Sequence, residues 1–153
     1  MTSRWKKVVP ALLAWGVLAA PALAQPQFKD AAAAIEFRQS ALKLMGAYSQ
    51  ALADVVRGNT PYDAAQVKQD VAVFQTLATL PWQAFGPGTE GGNARPDVWQ
   101  DTAKFAEAAK TLQTNMRALV AAANTNDPGQ LRAAFGNTAN SCRACHDSFR
   151  QRR

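Results

Sequence analysis

The 153-residue chain contains one isoleucine, Ile35, one histidine, His146, and two cysteines, Cys142 and Cys145. A single isoleucine beside abundant alanine disfavours a strand-rich fold and favours helices. Two cysteines are too few for a disulfide scaffold. With one histidine and no nucleophile–base pair in register, nothing points to a hydrolase or transferase, and no enzyme is expected. No Lys/Arg block marks a nucleic-acid footprint. The nearest approach is Arg150, Arg152 and Arg153. For Arg152 and Arg153 it reads as a basic helix end that complements the helix dipole.

Only one apolar run stands out, Val8 to Leu18, broken once by Pro10. It is short for a membrane span. Arg4, Lys6 and Lys7 precede it, and Ala22-Leu23-Ala24 follows as a small-x-small cleavage site. This is the pattern of a secretory signal peptide over residues 1–24, cut after Ala24. The mature chain, residues 25–153, is then exported and soluble, with no membrane segment after cleavage. Cleavage removes three basic residues and no acidic ones, so the formal net charge falls from +6 to +3.

What remains is 129 residues from a chain that is 48% hydrophobic and 18% charged, enough for one domain with its own core. Four stretches carry the alternating 3-and-4 spacing of a bundle seam. The first runs from about Asp30 to Arg57 through Ile35, Arg38, Leu42, Met45, Ser49, Leu52 and Val56, and Gly58 stops it. The second opens at Thr60-Pro61-Tyr62-Asp63, with Thr60 as cap, Pro61 at the first helical position and Asp63 as the acidic partner. Its stripe is Val67, Val71, Phe74 and Ala78, and Pro81 ends it. The third begins near Pro96, with Val98, Thr102, Phe105, Ala109, Leu112, Met116, Leu119 and Ala123 on its seam. The fourth starts at Asp127-Pro128 and carries Leu131, Phe135, Thr138, Cys142, Cys145 and Phe149. The expected fold is all-α, an antiparallel four-helix bundle. The link from Pro81 to Arg95 is long for such a bundle and is expected to cover something.

Cys142-Arg143-Ala144-Cys145-His146 is C-x-x-C-H, the spacing of covalent c-type haem attachment. Two thiols add across the two vinyl groups of the porphyrin, and the adjacent imidazole reaches the iron. Residues i and i+3 share a helix face, so both sulfurs meet one porphyrin edge. Export fits, because c-type haem is attached outside the cytoplasm. Three other readings compete: a Cys142–Cys145 disulfide, a zinc site and chance. A redox C-x-x-C sits at a helix N-terminus in a βαβ setting, whereas this one lies deep in a helix. Zinc would need more ligands than one histidine provides.

Arg38 occupies a core-register position, and a buried arginine needs an anionic partner. A haem propionate would serve, with Gln39 adding a hydrogen bond; the alternative is that Arg38 snorkels to the bundle end. On the far side of the iron, Met45, Met116 or a lysine could be a sixth ligand, or each methionine could be core. Leu42, one turn before Met45, could instead sit over that face and leave the iron five-coordinate. Arg150, at i+4 from His146, lies against the imidazole or is a solvated charge.

These residues resemble cytochrome c′ over essentially the whole mature chain. The resemblance rests on the C-terminal C-x-x-C-H and on Phe37-Arg38-Gln39-Ser40-Ala41-Leu42. It extends to Pro61-Tyr62-Asp63-Ala64-Ala65-Gln66, Leu80 through Gly92 in the link, and Leu131-Arg132-Ala133-Ala134-Phe135-Gly136. It implies that Cys142 and Cys145 are the thioether attachments of one haem c and His146 the proximal ligand. Leu42 then matches the distal aliphatic residue, Arg38 and Gln39 the propionate side, and Arg150 the basic residue beside the proximal histidine. Asn93 stands where close relatives often carry Asp, and marks a haem-edge contact. The resemblance also implies a periplasmic homodimer with the first two helices at its interface.

The function expected on this basis is binding of diatomic gases, chiefly nitric oxide and also carbon monoxide, beside an electron-transfer role with an unknown redox partner. The competing expectation is a six-coordinate, low-spin electron carrier similar to the cytochrome c-556 type, with Met45 as axial ligand.

Overall fold

The computed structural model of the chain describes residues 28–152, so the signal-peptide segment lies outside the described residues. Helix α1 spans Ala31–Arg57. The Asp30 carboxylate caps its start by accepting from the Ala33 amide at 2.8 Å. Gly58 ends it in the left-handed region, at φ 81°, where its N–H reaches the carbonyls of Asp54 and Val55. Helix α2 spans Ala64–Leu77, and here the sequence expectation needs correction. Its cap is Asp63, not Thr60: the Asp63 carboxylate accepts from the amides of Ala65 (2.8 Å) and Gln66 (3.0 Å). A charged carboxylate is the better acceptor for the free amides at the positive end of a helix. The Thr60 amide instead bonds the Asp54 carbonyl and closes the turn after α1.

Pro81 does not simply end α2. After Leu77 the chain turns, and Pro81–Phe85 forms a 3-10 helix. The third helix is broken. A short α3 covers Asp97–Gln100, Asp101 leaves helical geometry at φ −123°, ψ 64°, and α4 runs over Thr102–Asn124. Asp101 breaks the helix because its carboxylate takes the Lys104 amide and caps the new start. Thr102 accordingly sits exposed at the first turn of α4 rather than on the seam. Helix α5 spans Pro128–Phe149, capped by Asp127 with Pro128 at its first position, as the sequence indicates.

The four long helices form the expected bundle. Helix α1 packs on α2, α2 on α4, α4 on α5, and α5 closes back on α1. Leu52, Val67, Val71, Phe74, Leu112, Met116, Leu119 and Leu131 fill its centre. Each large apolar side chain buried there contributes about 1.5–3 kcal/mol. Among the described residues no helix is long and apolar enough to cross a membrane.

Candidate functional site: a haem cavity between α1 and α5

The core does not fill the whole space between the helices. Near the C-terminal end of α5 a cavity of about 590 Å³ opens between α1, α5 and the link. All eight side chains singled out from the sequence line it: Arg38, Gln39, Leu42, Asn93, Cys142, Cys145, His146 and Arg150. Met45 and Lys43 line it as well. Met116 does not; it is 1% exposed in the bundle core, which removes it as an axial ligand.

Helix α5 places Cys142, Cys145 and His146 on one wall. Both thiols are free. Burial raises the Cys142 thiol above its ordinary value, and burial together with the neighbouring Cys142 pushes Cys145 up to about 11. Redox C-x-x-C pairs work the opposite way, with a thiolate stabilised at a helix N-terminus. Here the pair lies within α5, far from Asp127, and the thiols stay protonated at neutral pH. His146 is pushed below its ordinary value, first by burial and then by Arg150, with Asp147 pulling back. A neutral imidazole is what an iron needs, since ligation uses the free lone pair. Among the described residues no group of three or more His, Cys, Asp and Glu side chains gathers to hold a metal ion, which leaves the zinc reading without ligands.

The remaining walls are aromatic. Trp82 and Phe85 from the 3-10 helix, Phe105 from α4 and Phe149 from α5 all line the cavity. Phe105 meets Phe85, Phe149 and Trp82 edge-on, at ring centroids 4.9, 5.2 and 6.0 Å apart. Such edge-to-face pairs fix ring positions as well as excluding water. The Trp82 indole N–H donates to the Ala78 carbonyl at 2.6 Å, so the wall carries no orphaned donor there. Gln39, Lys43 and Arg150 are exposed and form a polar rim.

Arg38 is buried, at 2% exposure, as its core-register position implies, and the link's main chain holds its two terminal nitrogens. One terminal nitrogen donates to the carbonyls of Ala84 and Thr89, both at 2.7 Å, and the other to the Gly91 carbonyl at 2.9 Å. The guanidinium carbon lies 4.5 Å from the centroid of Phe85 and 5.4 Å from that of Trp99. Burial lowers its pKa and Glu90 partly offsets this; a guanidinium stays charged regardless. Carbonyl dipoles and aromatic faces therefore surround the guanidinium, and they rule out snorkelling to the bundle end. The link is thereby pinned to α1. Gly91 and Gly92, at φ 118° and 60°, bring its backbone against Ile35 and Gln39, where a Cβ on Gly92 would lie 2.7 Å from the Gln39 amide nitrogen.

Sequence reasoning missed how the link ends. Residues 93–95 pair with residues 149–151 through an isolated antiparallel bridge, Ala94 to Arg150. Arg95 N–H donates to the Phe149 carbonyl and Gln151 N–H to the Asn93 carbonyl, both at 2.9 Å. The bonds join main chain to main chain, so no side-chain pattern announces them.

This donor set fits a covalently held haem. Two free thiols one turn apart share a wall with an adjacent neutral imidazole, the other walls are apolar and aromatic, and the rim carries cations and amides. The comparisons with known proteins agree. The family profile described as Cytochrome C′ matches residues 33–150. The chain is 50% identical over 127 residues to a cytochrome c′ of Alcaligenes xylosoxydans xylosoxydans, covering 83% of this chain and all of that one. It is 31% identical over 145 residues to a cytochrome c-556 of Agrobacterium fabrum, covering 94% of each. The structure is similar to a nitric oxide complex of a leucine-to-isoleucine variant of cytochrome c prime from Alcaligenes xylosoxidans. That pair has a TM-score of 0.80 at 48% identity, over 82% of this chain and all of the other. A bundle of this topology, with paired thiols and a single imidazole on the wall of one cavity, belongs to the cytochrome c′ family, whose members carry covalently attached haem c.

Proposed function

We propose that this chain is a periplasmic haem protein whose iron has His146 as its one protein ligand and takes up nitric oxide and carbon monoxide on the Leu42 side. The observation that carries the reading is Leu42: it is half-buried and lines the same cavity as His146, from α1 rather than α5. A haem held by Cys142, Cys145 and His146 would supply an iron able to bind a diatomic ligand. The chain's residues decide what reaches it. The Leu42 isobutyl group would crowd a ligand bound on its side and offers no hydrogen bond. A ligand that gains negative charge on binding, as dioxygen does, needs a donor beside it and finds none in Leu42. Nitric oxide would bind a haem iron strongly without such help, and His146 would be the one protein group holding that iron and able to release it. Cys142 and Cys145 would keep the cofactor in place if it did.

Solved nitric oxide complexes of cytochrome c prime from Alcaligenes xylosoxidans support the reading. Gln39, Asn93 and Arg150 stand on the cavity lining to meet the haem edge, and Arg38 retains its Nε–H for a propionate. Removal of residues 1–24, export to the periplasm, one-electron exchange with a redox partner and a homodimer through α1 and α2 belong to the same proposal. Leu44, 52% exposed on α1, supports the dimer.

The second reading, a six-coordinate electron carrier with Met45 on the iron, has one observation in its favour: Met45 also lines the cavity. It is only 6% exposed and packs in the core cluster, where Leu42 stands one turn before it. Substituting Leu42→Ala separates the two. On the gas-binding reading the on-rates of carbon monoxide and nitric oxide at the distal face rise by about tenfold or more, because a steric barrier of order 1.4 kcal/mol is removed. Unchanged stopped-flow on-rates would rule out steric control by Leu42.

A further inference from the structure

The last turn of α5 carries His146, and it does not end freely. The chain leaves the helix at Phe149, and Arg150 is extended at φ −108°, ψ 136°. From there the backbone runs antiparallel to the end of the link. Three hydrogen bonds cross the gap: Arg95 N–H to the Phe149 carbonyl, Gln151 N–H to the Asn93 carbonyl, and the Gln151 side-chain amide to the Ala94 carbonyl at 3.2 Å. Residue 151 lies just past the stretch that the family profile matches, which ends at 150. The other end of the link is held to α1 by Arg38. One strap therefore joins the helix that carries Leu42 to the turn that carries His146.

We propose that the paired segments 93–95 and 149–151 are a clasp that restrains the His146 turn, with Gln151 as its positioning residue, so that the clasp sets how readily His146 gives up the iron. This rests on the gas-binding reading for its functional half. The physical argument is local. If His146 is to move away from the iron, either its side chain swings or the final turn of α5 shifts. The Arg150 amide bonds the His146 carbonyl at 3.1 Å, so the turn and the extended segment after it move together. Each clasp bond thus opposes displacement of the turn; Arg95, Arg150 and Gln151 are exposed, so each bond contributes modestly and the three act together.

Gln151→Pro tests this. Proline removes both Gln151 donors, and the residue before it, Arg150, already has the extended backbone that proline demands. Gln151→Ala removes the side-chain bond alone. Hydrogen exchange is measured on the ferric holoprotein by mass spectrometry, on peptides covering residues 93–97 and 143–150. Loss of the clasp is expected to speed exchange in both peptides by about tenfold in the proline variant, with the alanine variant between it and the unsubstituted protein. In the ferrous nitric oxide complex the five-coordinate fraction, read from the Soret band, is expected to increase in the same order. Faster exchange confined to residues 93–97, or an unchanged five-coordinate fraction despite faster exchange in both, overturns the proposal. If the unsubstituted ferrous protein ignores nitric oxide, the gas-binding reading falls with the functional half, and exchange alone decides whether the clasp holds the turn.

Discussion

Replacing Cys142 and Cys145 together by serine is expected to abolish covalent attachment of the haem. The unsubstituted holoprotein should keep its colour through acid–organic extraction and show, by mass spectrometry, the mass of one haem added to the chain. The double variant should lose its pigment to the organic phase and run at the mass of the polypeptide alone. The reason is chemical: each thioether forms when one S–H adds across one vinyl C=C, and a hydroxyl does not replace sulfur in that addition. Both thiols line the cavity on one wall of α5, so either alone still reaches the porphyrin edge. Each single variant is accordingly expected to hold haem through the remaining link. A double variant that retains haem through extraction would show that the cysteines are not the attachment points.

The second large effect concerns Arg38. Substituting Arg38→Met is expected to destabilise the holoprotein by about 1–3 kcal/mol, measured from chemical denaturation with the slope unchanged. Methionine preserves much of the volume but leaves the buried Ala84 carbonyl with only the Thr89 hydroxyl at 3.3 Å, and removes this donor from the Thr89 and Gly91 carbonyls. It also removes the cation from the faces of Phe85 and Trp99. Arg38→Lys should recover about half of the loss, because a compact ammonium cannot span carbonyls on both sides as the planar fork does. A loss under about 1 kcal/mol for Arg38→Met would mean that the strap is held by other contacts.

Much of this molecule is legible in the sequence because its helices obey local rules. Gly58 and the Asp127-Pro128 pair stop and start helices where their backbone chemistry requires it. The C-x-x-C-H run locates the cavity because the chemistry it serves dictates the spacing. Asp63 and Asp101 mark where local rules ran out. Each region offers several residues able to cap, and the choice between Thr60 and Asp63 is settled by which acceptor meets the free amides in three dimensions. Asp101 breaks a stretch whose apolar period runs through it, because a carboxylate can terminate one helix and begin the next. The partners of Arg38 were not legible at all. Burial of the charge follows from its seam position, but three of its acceptors are main-chain carbonyls some 50 residues along the chain, and a carbonyl is common to every residue. The clasp at residues 149–151 escaped for the same reason.

Whether anything from the protein other than His146 occupies the iron decides between gas binding and electron carriage. The direct test is the ferric absorption spectrum of the matured holoprotein, followed by its ferrous spectrum with nitric oxide. A five-coordinate, high-spin ferric spectrum, and a ferrous spectrum that shifts when nitric oxide is added, are the predicted result. A low-spin spectrum with a methionine–iron charge-transfer band, indifferent to nitric oxide, would place Met45 on the iron and contradict the account.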